Sequence, residues 1–415
     1  MTGVTGPAGP SVPAVAPESG AAPGDDAAVA LDETCAGPSD LPGEAYATAL
    51  AALPGMGPAR LAAILAGEAP AVAWRRVLSG RVLTDPAVVR SLAPRGAKLV
   101  EGWRRAAAEV DVAELWRRTG AAGIAVAVAG SPAYPGALAG DIEPPAVVFQ
   151  RGDPAAITGP RVAVVGTRRC SSTGAGVAFE LGRDLTAAGV AVVSGLASGI
   201  DGAAHRGALA AGGAPPIGVV GSGLDVVYPP GQAELWRAVA AEGVLLSEAP
   251  PGAAPERWRF PARNRIIAAL ADVVVVVESH RRGGSLHTVD EADRRGRDVF
   301  AVPGSVRNPA AAGTNELLAE GRPPVCSVDD LLVALGLGAA RRGVPGDGRV
   351  PPAAGDRVVL DAVGWQPATL DQILLRSGLD LGRLAAALDR LCDTGWLARR
   401  GGWYERLAAG GTVEP

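Results

Sequence analysis

The chain has 415 residues, of which 48% are hydrophobic and 20% charged, enough to bury the cores of two or three domains. A net charge of −4 excludes a uniformly basic protein that coats polyanions, so any nucleic-acid site must be a local patch. The 4 cysteines lie far apart, so no metal site is expected. No signal peptide and no apolar run of membrane-spanning length is evident, which predicts a cytoplasmic protein without membrane contacts.

The first 116 residues predict a tail followed by helices. Residues 1–40 are rich in Pro, Gly, Ala and Ser and predict a disordered tail. Residues 41–116 predict a helical domain, in which segment 51–64 has the form of a helix-hairpin-helix. The turn of such a hairpin can face a phosphate, but a plain packing hairpin is slightly favoured because Arg60 is the sole nearby cation. Further helices are predicted at 74–78, 86–92 and 96–116.

Residues 117–336 predict an α/β domain with a mainly parallel sheet. A connector with short strands at 124–129 and 146–149 comes first, and strands and helices alternate after it. The consecutive valines 273–277 predict a strand that is buried on both faces. The strands are predicted at 161–166, 190–194, 216–221, 244–247, 272–277 and 298–302. The helices are predicted at 174–188, 201–212, 231–241, 262–271, 284–295 and 313–320.

The C-terminal part predicts a linker at 337–355, a winged-helix module at 356–407 and a short tail at 408–415. Helices at 369–377 and 380–393 are followed by a small β-wing at 395–404. Arg383 and Arg390 lie seven positions apart and share a face of the second helix. That face could enter a major groove, or the module could bind a partner protein.

The candidate site lies in the loops at the carboxyl ends of the parallel strands, where such sheets bind ligands. The loop after the first strand, 166–174, combines a glycine-rich helix start with hydroxyl groups and two arginines, which suits an anion. Its spacing matches neither a dinucleotide fingerprint nor a P-loop. The candidate residues in it are Gly166, Thr167, Arg168, Arg169 and Ser172.

The loops after the second and third strands carry weaker signals. The second loop contributes Gly195, Ser198 and Gly199 as candidates. Asp201 and His205 follow one turn apart, and a structural pair is favoured over a catalytic one because no nucleophile accompanies them. The Gly-x-Gly of the third loop, 221–223, lacks the third glycine of a dinucleotide site.

Two further elements favour an anionic ligand. The helix that begins near Phe260 has no acidic residue between Arg257 and Asp272, and segment 281–288 is another glycine-rich helix start with arginines. The simpler alternative is a solvated helix whose arginines pair with distant acids. Several such loops at one sheet edge instead indicate a surface for a nucleic-acid backbone read without base specificity. The candidates here are Arg263, Asn264, Arg265, Gly284 and Ser285.

Taken together, these motifs resemble the DprA/Smf family of DNA-processing proteins, strongly over residues 120–335. The flanking helical hairpin and winged helix also resemble modules of that family. The motifs that carry the resemblance are Gly166–Arg168, Ser194–Ala197, Gly199–Asp201 with His205, Gly221–Asp225, Tyr228–Pro229, Ser247–Glu248, Phe260–Pro261, Arg263–Arg265 with Ile267, Gly284–Leu286 with Thr288, and Val302–Gly304.

The resemblance implies an extended Rossmann-like domain that binds single-stranded DNA without a nucleotide cofactor and without enzymatic activity. It further implies a homodimer that protects incoming DNA and loads the RecA recombinase onto it during natural transformation. Arg168 falls on the family's arginine in the first loop, a DNA contact. Several members have Lys where this chain has Ser198, so that contact is absent here or moved to Arg169. His287, Val289 and Arg322 also depart from the family's usual residues.

Two alternatives stay open at this stage. Segment 283–291 faintly resembles the loop of nucleoside-monophosphate phosphoribohydrolases, in which Glu291 and an arginine would act on a nucleotide. Its spacing is off by one residue and its central glycine is missing. An adaptor that works through the winged helix and the helical hairpin is the other alternative. Aromatic residues make up only 4% of the chain, so base stacking would depend on Tyr228, Trp258 and Phe260.

Overall fold

The computed structural model describes Gly3, residues 41–84, Val88, Arg90 and residues 96–337 and 349–407. Apart from Gly3, the tails predicted at 1–40 and 408–415 lie outside the described residues. The same holds for 338–348 of the predicted linker and for most of the helix predicted at 86–92. Among the described helices, none is long and apolar enough to cross a membrane.

The N-terminal described region is a cluster of helices packed on a core that includes Leu50, Trp74 and Trp103. The single helix predicted at 96–116 is wrong, because the Asp111 carboxylate accepts a hydrogen bond from the Glu114 N–H (3.0 Å) and starts a new helix. These helices are α1 (Gly43–Ala51), α2 (Pro58–Leu65), α3 (Pro70–Leu78), α4 (Gly96–Glu109) and α5 (Val112–Ala121).

In the hairpin turn between α1 and α2, the Arg60 side chain is bonded to the backbone of the turn itself. The Arg60 guanidinium donates to the Gly55 carbonyl oxygen at 2.6 Å. The Trp103 indole N–H donates to the Pro54 carbonyl oxygen of the same turn at 2.9 Å. Both contacts fix the turn against neighbouring helices, in line with a hairpin used for packing.

A sheet of eight strands forms the centre of the next region, in the order β1-β2-β6-β5-β4-β3-β7-β8. β1 and β2 pair antiparallel at one edge, β2 pairs antiparallel with β6, and the remaining neighbours are parallel. The mainly parallel α/β sheet is therefore confirmed. Its strands are β1 (Ala125–Val128), β2 (Val147–Gly152), β3 (Arg161–Val165), β4 (Ala191–Ser194), β5 (Ile217–Val220), β6 (Val244–Ser247), β7 (Val273–Val276) and β8 (Asp298–Ala301).

Helices cover both faces of this sheet, which explains the run of valines in β7. Val274 and Val276 point into the core beneath α10, while Val273 and Val275 point into the core beneath α7 and α8. The helices of this region are α6 (Gly136–Ala139), α7 (Ser172–Ala187), α8 (Ile200–Ala211), α9 (Ala233–Glu242), α10 (Arg259–Leu270), α11 (Leu286–Arg294), α12 (Ala312–Ala319) and α13 (Val328–Ala334).

The last described region is a winged helix with its own apolar core, which includes Leu360, Leu388 and Tyr404. Its three strands pair antiparallel in the order β10-β11-β9, and the wing extends two residues beyond the predicted end. The elements are α14 (Ala354–Val363), β9 (Ala368–Thr369), α15 (Leu370–Ser377), α16 (Leu381–Asp393), β10 (Leu397–Arg400) and β11 (Trp403–Arg406).

Candidate nucleic-acid interface

A cleft opens where the direction of the parallel sheet reverses. From β3 the chain proceeds through β4, β5 and β6 on one side, and β7 and β8 lie on the other side. The loops that leave β3 and β7 therefore diverge and leave a crevice at the carboxyl ends of the strands. This cleft has a volume of about 500 Å³ and is lined by segment 165–169, the first half of α10 and segment 280–288.

The loop after β3 is fixed by backbone hydrogen bonds on its buried side, and its two arginines are exposed. The Thr167 N–H donates to the Glu278 carbonyl oxygen at 2.8 Å, which ties the loop to the end of β7. The Thr167 hydroxyl accepts a hydrogen bond from the Arg169 N–H at 3.2 Å. Arg168 and Arg169 are exposed, and both line the cleft together with Gly166. The loop therefore presents two guanidinium groups on a fixed backbone.

The N-terminus of α7 is already occupied by a carboxylate of the chain itself. Glu278 accepts hydrogen bonds from the Ser171 N–H (2.8 Å), the Ser171 hydroxyl (2.6 Å) and the Asn308 side-chain amide (2.9 Å). A Cβ atom on Gly174 would lie 2.4 Å from the Glu278 carboxyl carbon, so the helix start has closed around this group. The expectation that this helix N-terminus binds an external anion stays a prediction, and such an anion would have to compete with Glu278.

Aromatic rings lie beside the cations of the cleft. The Arg168 guanidinium lies over the Phe260 ring, 4.8 Å from its centroid, and the Tyr228 and Phe260 centroids are 5.6 Å apart. At the start of α10, outside the cleft lining, the Arg259 guanidinium lies 4.6 Å from the Trp258 ring centroid and pairs with Glu256 at 3.2 Å. Tyr228 and Trp258 are exposed. This side of the cleft thus offers flat apolar surfaces next to positive charge, the combination that binds unpaired bases and phosphates.

Arg263 forms the charged floor of the cleft. It is buried, and its guanidinium donates to the Val219 carbonyl oxygen, while its Nε has no hydrogen-bond partner within the described part of the chain. Burial lowers the pKa of Arg263 to about 10, Asp201 opposes that shift, and Arg168 adds to it. Arg263 is still charged at neutral pH, so its field reaches a ligand in the cleft.

Arg265 has a different role from Arg263. Its guanidinium donates to both carboxylate oxygens of Glu248 (2.6 and 2.7 Å) and to the Glu143 carbonyl oxygen (2.5 Å). The side chains of Arg265 and Glu248 are only 8% and 11% exposed. Arg265 is absent from the cleft lining, so its assignment to the DNA-binding set is corrected to an internal ion pair.

The loop after β4 supports the cleft from below. A Cβ atom on Gly195 would lie 2.0 Å from a guanidinium nitrogen of Arg263, so this position must be glycine for Arg263 to lie there. Gly199 has a φ of +81°, and a Cβ atom on it would lie 2.4 Å from the Thr167 carbonyl oxygen. Ser198 is exposed and does not line the cleft. Ser172 lies outside the cleft lining, with its hydroxyl donating to Glu405 of the wing at 2.9 Å.

The wall opposite the β3 loop comes from α10 and the loop after β7. The Asn264 side-chain amide donates to the Gly284 carbonyl oxygen at 3.3 Å, and the Ser285 hydroxyl donates to that of Ser279 at 2.9 Å. Asn264, Gly284 and Ser285 all line the cleft. Exposed Arg282 also lines this wall. The sequence analysis named it only as part of the basic segment 281–288.

The region that contains these motifs matches a known protein family. The family model described as DNA recombination-mediator protein A matches residues 125–336, which span the whole sheet and all cleft loops. The chain belongs to this family. A second family model, the DprA winged helix domain, matches residues 347–391. The resemblance to DprA/Smf proteins found in the sequence is confirmed.

Individual relatives agree with the family model. The chain is 40% identical over 206 residues to the DNA processing protein DprA of Bacillus subtilis, a match covering 49% of this chain and 69% of that protein. It is 35% identical over 312 residues to the protein Smf of Synechocystis, covering 66% and 78%. The X-ray structure of DNA processing protein A from Streptococcus pneumoniae superposes with a TM-score of 0.57 at 31% identity, covering 70% of this chain and 96% of that one.

The Asp201 and His205 motif of this family member is a buried structural feature of α8. The His205 Nε2–H donates to the Ile217 carbonyl oxygen at 3.2 Å, so the ring is bonded to β5 and not to Asp201. Burial lowers the pKa of His205 to about 4 and raises the pKa of the Asp201 carboxyl. The Nδ1 atom of His205 is buried without a partner in the described structure, so a second proton on it would have no hydrogen-bond acceptor.

The depressed pKa of His205 predicts a loss of stability in mild acid. The unfolded chain takes up a proton near pH 6.5, whereas the folded chain resists it down to about pH 4, so acid favours unfolding within that window. Between pH 7 and 4.5 we expect His205 to account for about 2 to 3 kcal/mol of lost unfolding free energy. Urea unfolding of the wild type and of His205→Gln at both pH values measures this. Equal losses in the two proteins would contradict the prediction, because the other titrating groups are shared.

Proposed function

We propose that this chain binds single-stranded DNA in the cleft between the loops that follow β3 and β7, without a nucleotide cofactor and without catalysing a reaction on the DNA. The observation that carries the proposal is the stacking of Arg168 on Phe260, with Tyr228 beside it. Each nucleotide of a single strand offers a phosphate and a free base face, which match a guanidinium beside an aromatic ring. A duplex keeps its base faces stacked internally, so it can use only the cations.

Membership of a family of recombination mediators supports a wider role, which we add to the proposal. In this wider role, a homodimer protects single-stranded DNA that enters the cytoplasm during natural transformation. The homodimer then loads the RecA recombinase onto that DNA. The test uses a single strand that is already covered by a single-strand-binding protein, on which RecA hydrolyses ATP only after a lag. Adding this protein should shorten that lag. An unchanged lag would remove RecA loading from the proposal and leave DNA binding in place.

Fluorescence anisotropy of one labelled oligonucleotide, alone or annealed to its complement, tests the binding proposal. At two salt concentrations we expect sequence-tolerant binding that prefers the single strand and weakens with salt, because phosphate contacts release counterions. Equal affinity for the duplex would contradict the role of the aromatic side of the cleft. Absence of binding at low salt would contradict the proposal as a whole.

The positions of the residues disfavour the phosphoribohydrolase alternative. Glu291, its acidic residue, lies on α11, where it is paired with Arg294 (2.9 Å) and with Arg295 just after the helix, and it does not line the cleft. The carboxylate oxygens of Glu291 are thus engaged by two guanidiniums outside the cleft and are not directed at a ligand there. Incubation with nucleoside monophosphates should therefore release no free base, and release would revive the alternative.

A further inference from the structure

The wing of the C-terminal module is a tight hairpin that places an arginine opposite a tryptophan. β10 and β11 are joined by Gly401 and Gly402, whose φ values are +54° and +88°. Two successive residues with positive φ form the two-residue turn that best fits a twisted hairpin, and glycine adopts them readily. In this register Arg400 pairs with Trp403 across the strands, so the two side chains are neighbours on one face.

This face of the wing points away from the core of its own module. Tyr404 is buried in that core, and side chains alternate along a strand, so Trp403 and Glu405 point to the opposite side. The Trp403 side chain keeps 47% of its surface exposed. Arg400 is exposed as well, and within the described residues no carboxylate pairs with it. An exposed tryptophan beside an unpaired arginine is therefore available to a ligand.

The same face is turned toward the proposed DNA cleft. Glu405 accepts a hydrogen bond from the Ser172 hydroxyl at 2.9 Å, and Ser172 begins α7 directly after the loop that carries Arg168 and Arg169. Trp403 lies two residues from Glu405, about 7 Å along the strand. The wing thus borders the cationic loop of the cleft.

The helix that would enter a major groove is less suited to DNA than the wing. Arg390 makes two hydrogen bonds to the Asp356 carboxylate, at 2.6 and 3.2 Å. Arg383 pairs with Asp380 at 3.4 Å, and Asp389 is exposed on the same helix. Each of these two arginines thus has a carboxylate beside it, in contrast to Arg400 on the wing.

We propose that Trp403 and Arg400 form a second contact for the single strand held in the cleft, with one base stacked on the indole and a phosphate bound by the guanidinium. The inference deepens the proposed function and rests on it. The wing lies beyond residues 347–391, the segment matched by the winged-helix family model, so it is assigned from the geometry of this chain. It extends the strand's path from the β3 loop past the start of α7.

Length-dependent binding of thymidine oligonucleotides tests this contact in the full chain. Because one base–aromatic stack contributes about 1 to 3 kcal/mol, Trp403→Ala should weaken binding of a strand of about 20 nucleotides roughly 5- to 150-fold. A strand of about 5 nucleotides should be too short to occupy the cleft and reach the wing together, so its affinity should stay unchanged. Trp403→Phe keeps a stacking surface and should restore most of the affinity. Arg400→Ala should lower the salt dependence for the longer strand only.

Trp365→Ala is the matched control. Trp365 is 71% exposed in the same module, but it lies against Arg406, which points to the opposite side of the wing from Trp403. One contrary result is that Trp403→Ala and Trp365→Ala have the same affinity for both strands while Arg168→Ala weakens binding of both. That result would overturn the wing contact and leave the binding of DNA in the cleft in place. If Trp403→Ala weakens duplex binding but not single-strand binding, the wing contact is also overturned. If Arg168→Ala leaves every affinity unchanged, the proposed function itself fails.

Discussion

Replacing Arg168 with alanine is expected to weaken binding of single-stranded DNA by about 10- to 100-fold, the range for removing hydrogen bonds to a charged group. Arg168 is exposed at the mouth of the cleft and stacks on Phe260, so the substitution removes a phosphate-binding group and half of the stacked pair. The slope of log affinity against log salt should also fall by about 0.7 for each phosphate that the variant no longer neutralises. Anisotropy titrations at several salt concentrations measure both quantities.

Arg237→Ala provides a control for net charge, because Arg237 is an exposed arginine on α9 outside the cleft lining. It should change the affinity little and leave the salt slope intact. If the two variants lose affinity equally, binding depends on overall charge and not on this cleft. Unfolding temperatures of both variants should match the wild type, since neither side chain is buried.

Replacing Arg265 with alanine is expected to lower the free energy of unfolding by about 3 to 5 kcal/mol. The substitution leaves Glu248 in a buried position without its two hydrogen bonds, and it frees the Glu143 carbonyl oxygen. Burial already raises the pKa of Glu248, so the variant should relieve part of the cost by taking up a proton there. Urea unfolding at pH 7 measures the decrease.

Two further substitutions test whether the expected loss of stability comes from the burial of the Arg265–Glu248 ion pair. Arg104→Ala breaks an exposed pair with Glu101 and should change stability much less than Arg265→Ala does. Adding Glu248→Gln to Arg265→Ala should recover part of the stability, because no buried charge is left unpaired. At a temperature where Arg265→Ala is folded, its affinity for single-stranded DNA should stay close to that of the wild type. A large drop in affinity of the folded variant would return Arg265 to the DNA-binding set.

The architecture was largely predictable because hydrophobic runs and glycine-rich loops report local structure. The valine run of β7 and the alternation of strands and helices led directly to the parallel sheet. The helix boundary near residue 110 was missed, although Asp111 followed three residues later by Glu114 is a recognisable start signal. The pairing of strands far apart in the chain, such as β2 with β6, requires contacts that no local pattern encodes.

The sequence predicted that most of the candidate residues meet at one edge of the sheet, but it did not predict all of their contacts. Arg263 and Arg265 are two positions apart on α10, about 200° around the helix, so they cannot both face one ligand. That geometry was available from the sequence and separates the cleft arginine from the structural one. The partners of Arg265 and Glu278 were not available, because Glu248, Ser171 and Asn308 are brought to them only by the folded sheet.

The carboxylate of Glu278 has a consequence for selectivity in a cell. In this class of sheet, the start of the helix after the first strand is where a free nucleotide would dock its phosphates. Here a covalently attached anion fills that position and cannot diffuse away. Abundant free nucleotides would have to displace it, whereas a polymer gains its affinity from many weaker contacts spread along the cleft. Under the proposed function, an internal competitor of this kind would favour a DNA strand over free nucleotides.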